Sequence, residues 1–198
     1  KKGFLSNLFR RRPLSIRPNL VRLEDAQDEQ GEVVNWRADG LKLEPDELVG
    51  LKVTNTGRVQ ADITVLFVDS NFGIDVLFPP PATVTDNRIP PGESLFVGPM
   101  QVQGNSVGLE HLLIIANKGE GQPIDFSWLG QPSLEQARSS SPTGAPGSLG
   151  SPLGKLFQNA LYAGGTTRGL KMADTDDVVL RALSWETVSH DEAAQEGP

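Results

Sequence analysis

The sequence predicts a mainly β protein: an antiparallel β-sandwich, Ig-like in architecture, with one or two short helices. Three observations predict it. Apolar residues recur with period two through residues 48–128, Gly, Pro, Asn and Asp punctuate those runs, and only short stretches carry helical spacing. At 198 residues and 37% hydrophobic content, the chain is long enough for one sizeable core and apolar enough to fill it.

Residues 1–19 read as a basic linker with a short amphipathic segment. Phe4, Leu5, Leu8 and Phe9 share one side of a helical turn, and Arg10, Arg11 and Arg12 follow. Contact of Phe4, Leu5, Leu8, Phe9 and Arg10 with an anionic membrane is one reading; packing on a neighbouring domain is preferred, because one apolar turn buries too little for stable anchoring. The sandwich is expected over 20–138, with early strands at 20–24, 33–37, 41–43 and 48–54. Val59, Ala61, Ile63, Val65 and Phe67 then alternate with Gln60, Asp62 and Thr64, the pattern of a half-buried strand. After Asp69-Ser70-Asn71, Phe72, Ile74, Val76 and Phe78 alternate with Gly73 and Asp75, which makes the two runs a hairpin.

Pro79-Pro80-Pro81 stops the hairpin, since proline donates nothing to a ladder. A proline-rich loop through Pro90-Pro91-Gly92 leads to strands at 94–97 and 100–103. The run 107–116 is strong enough to be central: Val107, Leu109, Leu113 and Ile115 share one face, Leu112 and Ile114 the other. A strand at 124–128 presents Ile124, Phe126 and Trp128 on one side. Ser133 and Gln136 stand in capping-box spacing, so a helical turn is expected at 133–138. Between 139 and 154, Ser, Gly and Pro make up 12 of 16 residues, a flexible linker. Ser151-Pro152 opens a helix with Leu153, Leu156, Phe157, Ala160 and Leu161 on one stripe, closed by Gly164-Gly165. Residues 151–188 therefore read as a helix plus a last strand, Val178 to Val188, returning to an edge of the sandwich, and 189–198 as a disordered acidic tail.

The formal charge of −7 conceals an asymmetry. Residues 1–18 hold six cations and no acid, leaving 12 basic against 25 acidic residues for the rest. A body that acidic repels phosphate, so no nucleic-acid partner is expected. The longest apolar run, Leu112 to Ala116, is strand-sized, far short of a transmembrane helix. The chain begins at Lys1 without a signal-peptide hydrophobic segment, which reads as a fragment of a longer protein.

Candidate chemistry is sparse. Without cysteine there is no disulfide, thiolate metal site or thiol nucleophile. His111 alternates inward with Leu109 and Leu113 and reads as a core histidine; His190 falls in the acidic tail. Asp69-x-Asn71-x-Gly73 has a superficial likeness to a calcium loop, but its glycine comes one place early and the closing glutamate is missing, so a hairpin turn is preferred. Asp174, Asp176 and Asp177 read as a solvated loop. Trp36, Trp128 and Trp185 lie on three different expected strands, which favours packing over a carbohydrate platform. No G-x-S-x-G or phosphate-binding glycine loop occurs. No catalytic residue, cofactor site or metal site is assigned, and the chain is read as not an enzyme. Recognition is expected on loops of a rigid sandwich, with Pro79, Pro80, Pro81, Arg88, Pro90, Pro91 and Gly92 as the partner-contact loop.

Several segments together resemble a known family. They are Leu51 to Gly57, Ile63 to Asp69, Gly73-Ile74-Asp75-Val76-Leu77-Phe78-Pro79, Asn87-Arg88-Ile89-Pro90-Pro91-Gly92-Glu93 and Gly108-Leu109-Glu110-His111-Leu112 through Ala116. Over about residues 45–130 the chain is similar to DUF4384, a bacterial β-rich domain often found downstream of caspase-like cysteine peptidase domains of the C14 type. Arg181 to Val188 also looks like the C-terminal edge strand of those longer proteins. The resemblance implies a non-catalytic, regulatory accessory domain acting by protein–protein contacts, its partner being the peptidase domain of the same or a processed polypeptide, or another protein. It also implies that such a peptidase, if it prefers basic residues, would cut near Lys1, Lys2 and Arg10 to Arg12. The alternative is a free-standing envelope or secreted binding module.

Overall fold

A computed structural model describes residues 13–35, 40–80, 86–104, 107–133 and 177–189. Among these residues, ten strands form two sheets. Sheet A contains β1 (Ile16–Arg22), β2 (Glu32–Val33), β4 (Leu48–Asn55) and β8 (Ser94–Gln101) in the order β2-β1-β4-β8. Sheet B runs β3-β10-β9-β5-β6, built from β3 (Lys42–Leu43), β5 (Ala61–Val68), β6 (Ile74–Phe78), β9 (Gly108–Lys118) and β10 (Val178–Thr187); β7 (Arg88–Ile89) also pairs with β5. The only helical element among the described residues is a single 3-10 turn, Ser127–Leu129.

The two sheets enclose one core. Ile16, Leu20, Val49, Leu51 and Val53 of sheet A meet Ile63, Val65, Leu112, Ile114 and Leu183 of sheet B, all buried. The mainly β sandwich read from the periodicity is therefore the fold, and the physical cause is the one proposed: strands with one apolar face bury it only against another such face. One pairing departs from the antiparallel expectation. β3 runs parallel to β10, with Glu186 opposite Lys42 and Thr187 opposite Leu43. The last strand thus lies one place in from the edge, between β3 and β9, and the two-residue β3 is the edge itself.

The domain begins earlier than position 20. Leu14 and Ile16 are buried, β1 starts at Ile16, and the Ser15 carbonyl accepts the Thr56 and Gly57 N–H groups at 2.9 and 3.0 Å. Arg17 and Arg22 are the exposed cations of β1 and mark its solvent side rather than a linker. The amphipathic segment at residues 4–10, the cationic run Arg10 to Arg12, Trp36, the linker 139–154, the helix at 151–165, the rest of the turn at 133–138, Asp174, Asp176 and His190 lie outside the described residues.

Two phase assignments change. The strand β5 is buried on both faces from Ala61 to Leu66. Its polar side, expected in solvent, is covered by residues 121–126: Ile124 N–H donates to Asp62 Oδ2 and Phe126 N–H to Thr64 Oγ1, each at 3.0 Å. Because this covering segment spends its amide hydrogens on side chains, it forms no ladder, and the strand expected at 124–128 is an extended stretch ending in the 3-10 turn. Trp128 at its end is 54% exposed, so its packing role does not extend to the core. On β9 the inward face is Glu110, Leu112, Ile114 and Ala116, while Leu109, His111, Leu113 and Ile115 face out. His111 is therefore not a core histidine. Its Nδ1 lies 2.7 Å from Ser184 Oγ on the outer face of sheet B.

Candidate functional site

At the end of the sandwich where β4 begins and β5 ends, the two inward faces leave a cleft of about 580 Å³. Sheet A supplies Val49 and Met100, with Gln101 and Gln103 on the rim; sheet B supplies Phe67, Leu77, Glu110 and Trp185. The strand alternation that fills the core elsewhere positions these residues, since each continues an inward row. Trp185 sits directly opposite Glu110 in the β10–β9 register, and Phe67 opposite Asp75 in the β5–β6 register. Asp75 and Leu77, the positions between Ile74, Val76 and Phe78, are the ones that look into the cleft. The apolar alternation of β6 had pointed the other way. Part of the other face is covered by residues 130 and 131: Gly130 approaches Val76, and Gln131 bridges Ile74.

The cleft has a polar floor and an aromatic wall. Glu110 is only 3% exposed. Its Oε2 accepts Thr187 Oγ1–H at 2.6 Å and Trp185 Nε1–H at 3.1 Å. Both partners are neutral donors, so the charge of this buried carboxylate meets no cation of the described protein, and Oε1 accepts no hydrogen bond from it. The Trp185 ring stacks on Phe67, centroids 6.1 Å apart and planes 22° from parallel. Among the described residues, Asp69 and Asp75 bring the carboxylates lining the cleft to three, and no Lys, Arg or His lines it. Asp69 is partly spent on its own turn: Oδ1 accepts Asn71 N–H at 2.7 Å and Gly73 N–H at 2.8 Å, an Asx turn that closes the β5–β6 hairpin. A Cβ at Gly73 would stand on the Asp69 carboxylate, which is why glycine belongs there.

The loop residues expected to contact a partner are not at this cleft. Pro79 is buried and Pro80 exposed, and Pro81 is outside the described residues. Arg88 is committed to the fold: Nε donates to Asp62 Oδ1 at 2.6 Å, Nη2 to Asp62 Oδ2 at 3.0 Å and Nη1 to the Gly121 carbonyl at 3.0 Å. That carboxylate, by its hydrogen bonds, raises the Arg88 pKa above its ordinary value. Pro90, Pro91 and Gly92 form a turn back to sheet A, with Gly92 N–H on the Asn55 carbonyl at 2.8 Å and a φ of 86° that glycine accommodates. The turn is at the far end of the sandwich from the cleft. Its Pro91 and Gly92 remain exposed.

The His111–Ser184 pair has hydrogen-bond reach but not the rest of a nucleophilic site. It stands on an open sheet face, no described acid meets the other ring nitrogen, and neither residue lines the cleft. Asp177 pairs with Lys118, whose Nζ lies 3.8 Å from Asp177 Oδ1 and 2.6 Å from Glu120 Oε1. Among the described residues no group of three His, Asp or Glu side chains converges on a common point. Sequence reasoning had passed over Glu110. Its signal was a lone charge in phase with Leu112 and Ile114, matched on the neighbouring strand by Thr187 in phase with Leu183 and Trp185.

Fold and cleft together define a two-sheet β-sandwich with a ligand-sized cleft between its sheets. Compared with known proteins, the chain matches no family model, no curated protein and no solved structure.

Proposed function

We propose that this chain is a non-catalytic accessory module of a caspase-like cysteine peptidase, acting by protein–protein contact, and that the contact is made in the inter-sheet cleft. The observation that carries the contact is the cleft itself. Apolar walls from Leu77, Met100 and the Phe67–Trp185 stack, with a few placed polar groups, are the composition of a site that takes a ligand. The resemblance of residues 45–130 to DUF4384 supports the peptidase context. The loop 79–92 keeps only a lesser part in this reading, because Arg88 and Pro79 already serve the fold.

The test uses the peptidase domain encoded with this chain, produced separately. It should bind the chain, and Leu77→Arg, which fills the cleft, should weaken binding at least about tenfold while far-UV circular dichroism is unchanged. Unchanged affinity in that variant overturns the cleft as the contact. A gene in which a signal peptide and no Cys/His peptidase domain precedes Lys1 overturns the peptidase context in favour of a free-standing envelope or secreted binding module.

A further inference from the structure

We infer that the cleft receives the cationic side chain of an arginine or lysine carried on an extended polypeptide, with Glu110 as its counter-charge. The inference rests on the reading of the cleft as a polypeptide-contact site and names the chemistry that would be recognised there.

Burying a carboxylate is costly unless cations or several hydrogen bonds replace its water. Glu110 is 3% exposed, and its two bonds both fall on Oε2. Thr187 and Trp185 hold the carboxylate in one orientation and leave Oε1 without a donor among the described residues. The residues of the cleft wall are suited to what a cationic side chain brings with it. Leu77 and Met100 can cover an aliphatic stem, and the Phe67–Trp185 stack offers ring faces that attract a guanidinium or ammonium. Asp75 adds negative charge beside Phe67, and among the described residues no basic side chain lines the cleft to oppose it. An anionic ligand would meet three carboxylates. A bare metal ion would find no three converging acidic or imidazole ligands among the described residues. On the rim, Gln101 Nε2 donates to Asp46 Oδ1 and Gln103 Nε2 to the Gln101 carbonyl, which leaves their side-chain carbonyl oxygens to accept from the backbone of a peptide.

The experiment is calorimetric titration of the whole chain with three blocked pentapeptides, acetyl-Gly-Leu-X-Leu-Gly-amide, where X is arginine, norleucine or glutamate. The arginine peptide should bind at least about tenfold tighter than the norleucine peptide, and the glutamate peptide weakest of all. Raising the salt concentration should erode only the arginine preference. Glu110→Gln, which still offers an acceptor to Thr187 and Trp185, should remove most of that preference, and Asp75→Asn a smaller part. Equal binding of the arginine and norleucine peptides overturns the inference even if Glu110→Gln fails to fold, because that comparison uses the unaltered chain. If both bind equally and Leu77→Arg abolishes both, the cleft is a polypeptide site and only the cation is wrong. If no peptide binds and Leu77→Arg leaves the peptidase-domain contact intact, the reading of the cleft falls with it.

Discussion

Replacing Arg88 by methionine removes two of the three hydrogen bonds that the Asp62 carboxylate accepts from the described residues. The Asp62 side chain is fully buried and that of Arg88 is 17% exposed. In the folded chain the guanidinium grips both Asp62 oxygens, at 2.6 and 3.0 Å, and Asp62 Oδ2 takes one further bond from Ile124 N–H. After Arg88→Met only the Ile124 bond remains. Breaking a buried pair on one side costs about 3–5 kcal/mol, and the partial exposure of Arg88, which lets water approach the gap, places this case near about 3 kcal/mol. Against a typical native stability of about 5–15 kcal/mol that is a large fraction. Urea unfolding followed by circular dichroism should show the midpoint fall with the slope preserved. Asp62→Asn together with Arg88→Met should recover part of the loss, a coupling of about 1–3 kcal/mol, because no uncompensated charge is left. Hydrogen exchange should accelerate first at Ile124 and Phe126, the amides that the β5 side chains hold. A loss below about 1 kcal/mol for Arg88→Met, or strictly additive single and double variants, would refute the reasoning that the Arg88 guanidinium compensates the burial of Asp62.

Two further outcomes concern the frame and its pH response. Gly57→Ala should destabilise by about 1–3 kcal/mol, since the new Cβ would lie 2.6 Å from the Pro13 carbonyl oxygen and 2.8 Å from Ser15 N, both backbone atoms; an unchanged urea midpoint would show that the start of β1 is free to yield. Asp28 has its pKa lowered from its ordinary 3.8, chiefly by the Gly31 N–H and then the Gln30 N–H. A carboxylate depressed in the folded state contributes stability above its unfolded pKa and loses it as pH falls through the folded one. The loop 24–31 should therefore loosen only on acidification below that ordinary value, seen as faster exchange of the Gly31 amide relative to β4; loosening that begins near neutral pH would contradict this origin.

Local sequence made the fold class readable because period-two alternation reports strands directly, and the β5–β6 hairpin follows from two such runs around Asp69-Ser70-Asn71. It erred where a residue's surroundings come from distant chain. Asp62 and Thr64 read as solvent-facing because nothing nearby shows that residues 121–126 will cross over them. Arg88 read as a free contact residue for the same reason: its partner carboxylate is 26 residues away in sequence. On β9 both faces carry leucine and isoleucine, so the alternation alone could not say which faces the core; that was decided by which side sheet A covers.

What the sequence determined by itself was the class of architecture and the absence of thiol chemistry, since composition and periodicity are properties of a single chain segment. Tertiary structure alone decided the cleft. Glu110, Trp185 and Thr187 come from strands some 75 residues apart and meet only through the β9–β10 register, while Met100 reaches the same cleft from the opposite sheet. A site is a set of distances between strands, and those distances exist only once the two sheets have closed on their shared core.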